Sequence, residues 1–409
     1  MTPFKVVCVL ASVYVTAVLI ARKIAAKDPG SWFFDPRTAY EARYTKVRQT
    51  QAESFVGVAN VSTFSRPTSS QLETRTARMR IGILSVAREP RYLDATVGSL
   101  LDGLTTDERD ELHLIVLLPY SDPTRHSAYR EPLLHNLVDE VTHYDTSTPQ
   151  SDHIIALENE EAPFREKGLY DYGLLVDSCL DKTNATHIAI FEDDIVASPD
   201  WYNQTLAGLA ESEAKLWRAH DQSRGFLYLR LFYTEQFLGW NSEDWLEHAL
   251  WSVLPVSASW AFLLFACMWY DQKKRLLASR AVKVACAAAA PLSVLLFFAV
   301  GRTTWFPLSP GVRVMNKYGC CSQGLVFSRA SAKDLILWFR ESRLGFVDVL
   351  IEEYGDRNPG SDRFALIPPV IQHVGSRSSK DVDTRRRTRE GLSTAEQIWS
   401  FEFERRLSD

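Results

Sequence analysis

Two apolar stretches, 249–270 and 284–300, lie in the middle of an otherwise polar chain, and the basic segment 271–283 joins them. Each is close to the roughly 20 residues that cross a bilayer as a helix. The connector, DQKKRLLASRAVK, carries five Lys/Arg against one Asp, and the positive-inside rule keeps such a loop cytosolic. Both outer ends of this hairpin, near His248 and Arg302, then face the luminal side. The polar sequence before and after it is thereby free to fold as one domain, interrupted by a membrane hairpin (248–301).

A third apolar run, 6–21, opens the chain. No small-x-small cleavage site follows it; Arg22, Lys23 and Lys27 do, so 1–21 reads as an uncleaved signal anchor. Its own flanking charges favour an external N-terminus, but the larger asymmetry of the hairpin overrules them. Asn-x-Ser/Thr triplets at Asn60, Asn184 and Asn203 agree with a luminal region between the first span and the hairpin. Of six cysteines, Cys179, Cys320 and Cys321 would be luminal, where disulfides persist. One bridge from Cys179 to Cys320 or Cys321 is expected. A net charge of -5 argues against a nucleic-acid binder. Three spans, with Lys283 their one charge and near an end, do not make a transport path.

Residues 22–79 read as a polar stem. From Arg80 the texture changes. RIGILSV, HLIVLLPY (113–120), HIAIF (187–191) and GLVFS (324–328) are buried-strand runs. ATVGSLLDGL, LYDYGLLVDSCL, AKDLILWFRES and VDVLIEEYG carry helical periodicity between them. Alternating strands and helices predict an α/β domain with a mostly parallel sheet. The piece before the hairpin (80–247) and the piece after it (302–379) together match a single domain of about 240 residues, which neither reaches alone. The remainder, 380–409, reads as a polar tail with a basic run at 385–389.

FEDDI (191–195) is the sharpest local signal. Glu192, Asp193 and Asp194 directly follow a buried strand and so emerge at its carboxyl end, where open α/β sheets place ligands. Ile195 and Val196 follow, which sets the run apart from a solvated acidic turn. Three adjacent carboxylates repel one another unless a cation compensates. Hard divalent ions take carboxylate oxygens and leave positions for diphosphate oxygens.

On these residues the chain resembles the metal-dependent glycosyltransferases of the GT-A (Rossmann-like) class, whose acidic DxD motif has EDD as one form. The span KGLYDYGLLVDSCLDKTNATHIAIFEDDIVASPDWY (167–202) is similar to the corresponding region of the N-acetylglucosaminyltransferase-IV group. The N-terminal anchor and inserted hairpin are closer to one family, the Golgi GalNAc-transferase that modifies GPI anchors after their attachment to protein. The resemblance implies that Asp194 and Glu192 bind Mn²⁺ and through it the diphosphate of a UDP-sugar, with Asp193 orienting sugar or ribose. It implies that Val86 and Ala87 border the uracil and that Arg88 meets phosphate, unless Arg88 is an ordinary strand-end arginine. Lys167 and Asp171 either reach the nucleotide or form a simple i,i+4 pair. His373, in IQHVGSRSS, would complete the metal site, unless it is a hydrogen-bonded core histidine. An inverting transfer needs a carboxylate to take the acceptor proton. Asp348 begins its helical run as the family's catalytic acid does; Glu352 and Glu353, one turn on, are the alternatives. GCCSQG (319–324) is a candidate acceptor-side turn, its cysteines stapling the split halves.

The implied protein is a luminal Golgi or endoplasmic-reticulum enzyme using a UDP-sugar, UDP-GalNAc by resemblance, on a lipid-linked glycan such as a GPI anchor. The rival is a non-catalytic membrane protein whose α/β domain binds glycans or another protein.

Overall fold

The computed structural model describes residues 3–58, 77–147, 151–158, 164–181, 185–218, 225–270, 280–315, 320–375 and 394–408. Asn60, Asn184, residues 271–279 of the basic connector and the run at 385–389 lie outside them. The chain divides into two compact units, 42–234 with 309–409, and 1–41 with 235–308.

The larger unit is built on an eight-stranded sheet in the order β3-β2-β1-β4-β8-β6-β9-β7. These strands are β1 (Met79–Leu84), β2 (Leu112–Leu118), β3 (Glu140–His143), β4 (His187–Glu192), β6 (Tyr228–Arg230), β7 (Gly311–Val314), β8 (Gly324–Ser328) and β9 (Arg363–Ile367). β1 to β4 are mutually parallel. β8 then runs antiparallel between β4 and β6, β9 is parallel to β6, and β7 closes the edge antiparallel. The GLVFS strand, from beyond the hairpin, therefore lies beside HIAIF in one sheet. The sheet is parallel in its first half and mixed in its second. Both faces are covered, which is why the strands read as continuous apolar runs. Ile81, Leu114 and Phe191 belong to the core on one face, and Ile115, Ile190 and Leu175 to the core on the other. A second, two-stranded sheet pairs β5 (Ile195–Ala197) with β10 (Ile371–His373) antiparallel.

Two segments differ from the sequence expectation. Helix Arg43–Val58, inside the expected stem, belongs to the sheet-bearing unit. It crosses helix Leu93–Leu101 so closely that a Cβ on Gly98 would sit 2.4 Å from Ala52 O. Its Arg48, 1% exposed, donates from Nε to Ala197 O (3.0 Å) and pairs with Asp102 (2.9 Å). Its Nε and Nη1 donors thus find their acceptors inside the fold. The expected tail also folds back. Gln372 and Ser400 exchange two hydrogen bonds (2.9 and 3.0 Å), and Trp399, Phe401 and Phe403 are buried.

The smaller unit contains helices Pro3–Ile24, Trp245–Tyr270 and Arg280–Val300. Windows in two of them, Val7–Ile24 and Lys283–Val300, are long and apolar enough to cross a membrane by length and composition. Tyr14 OH donates to Leu292 O (3.1 Å). At their C-terminal ends these two helices are tied together: Asp28 accepts from Thr304 N (2.8 Å) and Thr304 Oγ1 (2.9 Å), and Ser31 Oγ donates to Ala299 O (2.8 Å). Both helices therefore end on the same side.

Candidate active site

β1 and β4 run parallel and in register, Leu84 opposite Glu192. Their carboxyl ends therefore release Ser85–Arg88 and Glu192–Asp194 side by side. β10 adds the third piece, because its pairing with β5 sets His373 opposite Ile195. Helix Val347–Arg357 carries Asp348 in its first turn. These segments line one cleft of about 250 Å³, which includes Val86, Arg88, Glu192, Asp193, Asp194, Asp348 and His373. A larger cavity of about 470 Å³, between helices Phe164–Asp181 and Arg329–Ser342, holds none of them. Its carboxylates Glu166 and Asp177 are paired with His153 and Arg340.

The acidic run is compensated by an arginine. Arg88 pairs through Nη2 with Asp193 Oδ1 and through Nη1 with Asp194 Oδ2 (3.0 Å). Asp193 also accepts from Ser85 Oγ (2.6 Å). Behind Ser85, His126 Nε2 lies 3.1 Å from its Oγ, while Ala128 N donates to His126 Nδ1 (3.2 Å). That leaves Nε2 to carry the proton towards Ser85, and burial keeps the imidazole neutral by pushing its pKa down. Glu192 Oε1 accepts from Ser322 Oγ (2.7 Å). Burial pushes the Asp193 carboxyl up, against the pull of Arg88. In Asp194 the same burial is outweighed by His373 and Arg88, which hold it below the usual carboxylate range.

Arg88 supplies part of the compensation that the acidic run alone seemed to demand of a metal. The fit to a divalent ion rests instead on two orphaned atoms. Asp194 Oδ1 and His373 Nδ1 are buried without a hydrogen-bond partner among the described residues, and buried polar atoms normally have one. His373 Nε2 sits 3.3 Å from Asp194 Oδ2. Gly375 allows this approach, since a Cβ there would lie 2.2 Å from Asp194 Oδ2. Among the described residues no group of three or more acids, His or Cys is gathered to hold an ion by itself. An ion with one or two protein ligands, completed by diphosphate oxygens and water, fits this set.

The three base candidates separate. Asp348 lines the cleft and accepts from Val349 N through Oδ1 (3.0 Å). Glu352 does not line it. Its carboxylate is held by Tyr228 OH (2.6 Å), Arg230 Nη2 (3.2 Å) and Arg363 Nη1 (2.7 Å). Glu353 points to solvent, its side chain 48% exposed beside Arg357.

Lys167 and Asp171 form the i,i+4 pair (2.7 Å), with Asp171 buried and Lys167 half-buried. Tyr144 OH donates to Asp171, and Lys167 Nζ donates to Pro119 O (3.1 Å). Neither lines the cleft. Ala87 N donates to Tyr120 OH (2.8 Å), which fixes the loop carrying Val86 and Arg88.

The cysteine expectation is corrected. Cys320 and Cys321 are bonded to each other, and Cys179 is a buried free thiol. Cys321, at φ 78°, lines the cleft, and the carbonyls of both cysteines accept from Arg230 Nη1. Sequence reasoning did not single out Ser85, His126, Arg165 or Ile398. Ser85 directly precedes Val86, Ala87 and Arg88 and was open to notice; Ile398 reaches the cleft only because the tail folds back.

No curated protein matches the chain. Residues 79–372 match the family model described as GPI-N-acetylgalactosamine transferase PGAP4. The match takes in Arg88, Glu192–Asp194 and Asp348, stops one residue short of His373, and covers well over half of the chain. The chain therefore belongs to the PGAP4 family of GPI-N-acetylgalactosamine transferases.

Proposed function

We propose that this protein is a membrane-bound glycosyltransferase of GT-A type that transfers GalNAc from UDP-GalNAc to the glycan of a GPI anchor, with Mn²⁺ as cofactor, in the Golgi lumen. The observation that carries this reading is the meeting of Glu192–Asp194, Arg88, His373 and Asp348 in one cleft at the carboxyl end of β1 and β4.

In this reading Asp194, with His373 behind it, holds the ion. Ser85 and Arg88 fix Asp193 for the donor's ribose or sugar. A divalent ion held there would supply positive charge to offset that of the departing diphosphate. Val86 borders the uracil. Asp348 Oδ1 is engaged at the start of its helix, and its Oδ2 takes the proton of the acceptor hydroxyl as the hydroxyl oxygen bonds to the anomeric carbon and UDP leaves. Attack from the face opposite the diphosphate inverts the configuration.

The two membrane-length helices and the Asp28–Thr304 tie are consistent with the reading of three spans, with the N-terminus and the 271–283 connector cytosolic and the C-terminus luminal. The sheet-bearing unit is joined to the other unit at three points along the chain. An acceptor anchored in the same membrane meets such an enzyme at raised effective concentration. Purified full-length protein should transfer GalNAc from UDP-GalNAc to a GPI glycan only when a divalent ion is present. Equal turnover in excess chelator would remove the metal from this account, and no turnover with any UDP-sugar would favour the rival reading of a glycan-binding protein.

A further inference from the structure

We propose that Arg165 is a phosphate-binding residue of the cleft, acting on the Asp348 side of the substrates. The inference rests on the reading above, in which both substrates carry phosphate: the diphosphate of the donor and the phosphodiester of the glycolipid acceptor.

The charges of the cleft lead to it. Glu192, Asp193, Asp194 and Asp348 line it against two arginines, Arg88 and Arg165. Arg88 is already engaged by Asp193 and Asp194. A phosphate entering beside four carboxylates needs a cation whose donors are not consumed by them. Arg165 meets that condition: among the described residues no ion pair with a carboxylate is formed by it. Aromatic rings hold it instead. Its guanidinium carbon lies 4.4 Å from the centroid of Phe346 and 5.7 Å from that of Phe164, and the two rings are 5.9 Å apart. Cation–π contact orients a guanidinium through its face and leaves the N–H donors at its edge for a ligand. Phe346 is the N-cap residue of the helix that carries Asp348, so the platform that holds Arg165 is also the entry to the candidate base. Phe164, Arg165, Phe346 and Asp348 all line this one cleft.

The test uses detergent-solubilised full-length enzyme and its R165Q and R165K variants, with thermal melts to confirm folding. One arm measures UDP binding in the presence of the divalent ion. The other measures acceptor KM at saturating donor, for mannose-containing acceptors with and without phosphate. Loss of a charge-assisted phosphate contact should weaken one arm about ten- to a hundredfold in R165Q, and less in R165K, which keeps the charge. Weaker UDP binding with unchanged acceptor KM assigns the contact to the donor. A KM raised only for the phosphate-bearing acceptor assigns it to the acceptor. If R165Q changes neither arm, or raises KM equally for phosphate-free acceptor, the inference is overturned. Wild-type protein that binds no UDP would instead contradict the reading under Proposed function.

Discussion

His373 Nε2 lies 3.3 Å from Asp194 Oδ2, and the contact joins the two stretches of the domain's chain, 42–234 and 309–409, at one acid. It exists because β10 pairs with β5 and because Gly375 leaves room behind it. Asp194 Oδ1 and His373 Nδ1 are buried and without hydrogen-bond partners among the described residues.

His373→Ala should therefore shift the divalent-ion dependence of transfer to higher concentration by about ten- to a hundredfold, the usual effect of losing a ligand's supporting partner. Activity titrated against Mn²⁺ reads this directly. An unchanged midpoint would reduce His373 to a packing residue.

Ser85→Ala removes the hydroxyl that fixes Asp193 Oδ2 and separates the acid from His126. Donor KM should rise about tenfold or more, the worth of a buried hydrogen bond to a charged group, with acceptor KM unchanged. Steady-state kinetics in both substrates would expose the opposite pattern.

Asp348→Asn should lower kcat by about 10² to 10⁴, the contribution of a positioned general base, while UDP binding stays near wild type. Glu352→Gln should act on stability instead. Removing its charge leaves Arg230, almost fully buried, short of its carboxylate, a loss of about 3 kcal/mol seen as a lowered melting temperature. Glu353→Gln should change neither. A normal rate in Asp348→Asn with a collapsed rate in well-folded Glu352→Gln would reassign the base.

Burial pushes the Cys179 thiol up to about 12, so the group stays protonated and unreactive through neutral pH. Native protein should take up no alkylating reagent at Cys179 until unfolded. Peptide mapping without reduction should find Cys320 and Cys321 oxidised in a single peptide. Recovery of Cys179 in a cross-linked peptide would contradict the structure.

Strands β1, β2, β4 and β8 were legible because each is an apolar run buried on both faces, and the acidic run was legible because it follows one of them. The order of the mixed half of the sheet was not, since pairing of β8 with β4 and β6 is a long-range choice that no local pattern encodes. Helix Arg43–Val58 looked like a stem because its buried Arg48 is polar, and Ala197, Asp102 and Gln51 make that burial tolerable. Asp348 and Glu352 share a helix, and spacing alone does not say which of them meets the cleft. The pairing of Cys320 with Cys321 rather than Cys179 depends likewise on where the core puts each thiol.

The most direct measurement is GalNAc transfer from UDP-GalNAc to a GPI glycan by purified full-length protein, wild type beside Asp194→Ala, with and without Mn²⁺. The account predicts product from wild type with the ion, none in chelator, and none from a folded, normally expressed Asp194→Ala. Product formed at the wild-type rate by Asp194→Ala would contradict it.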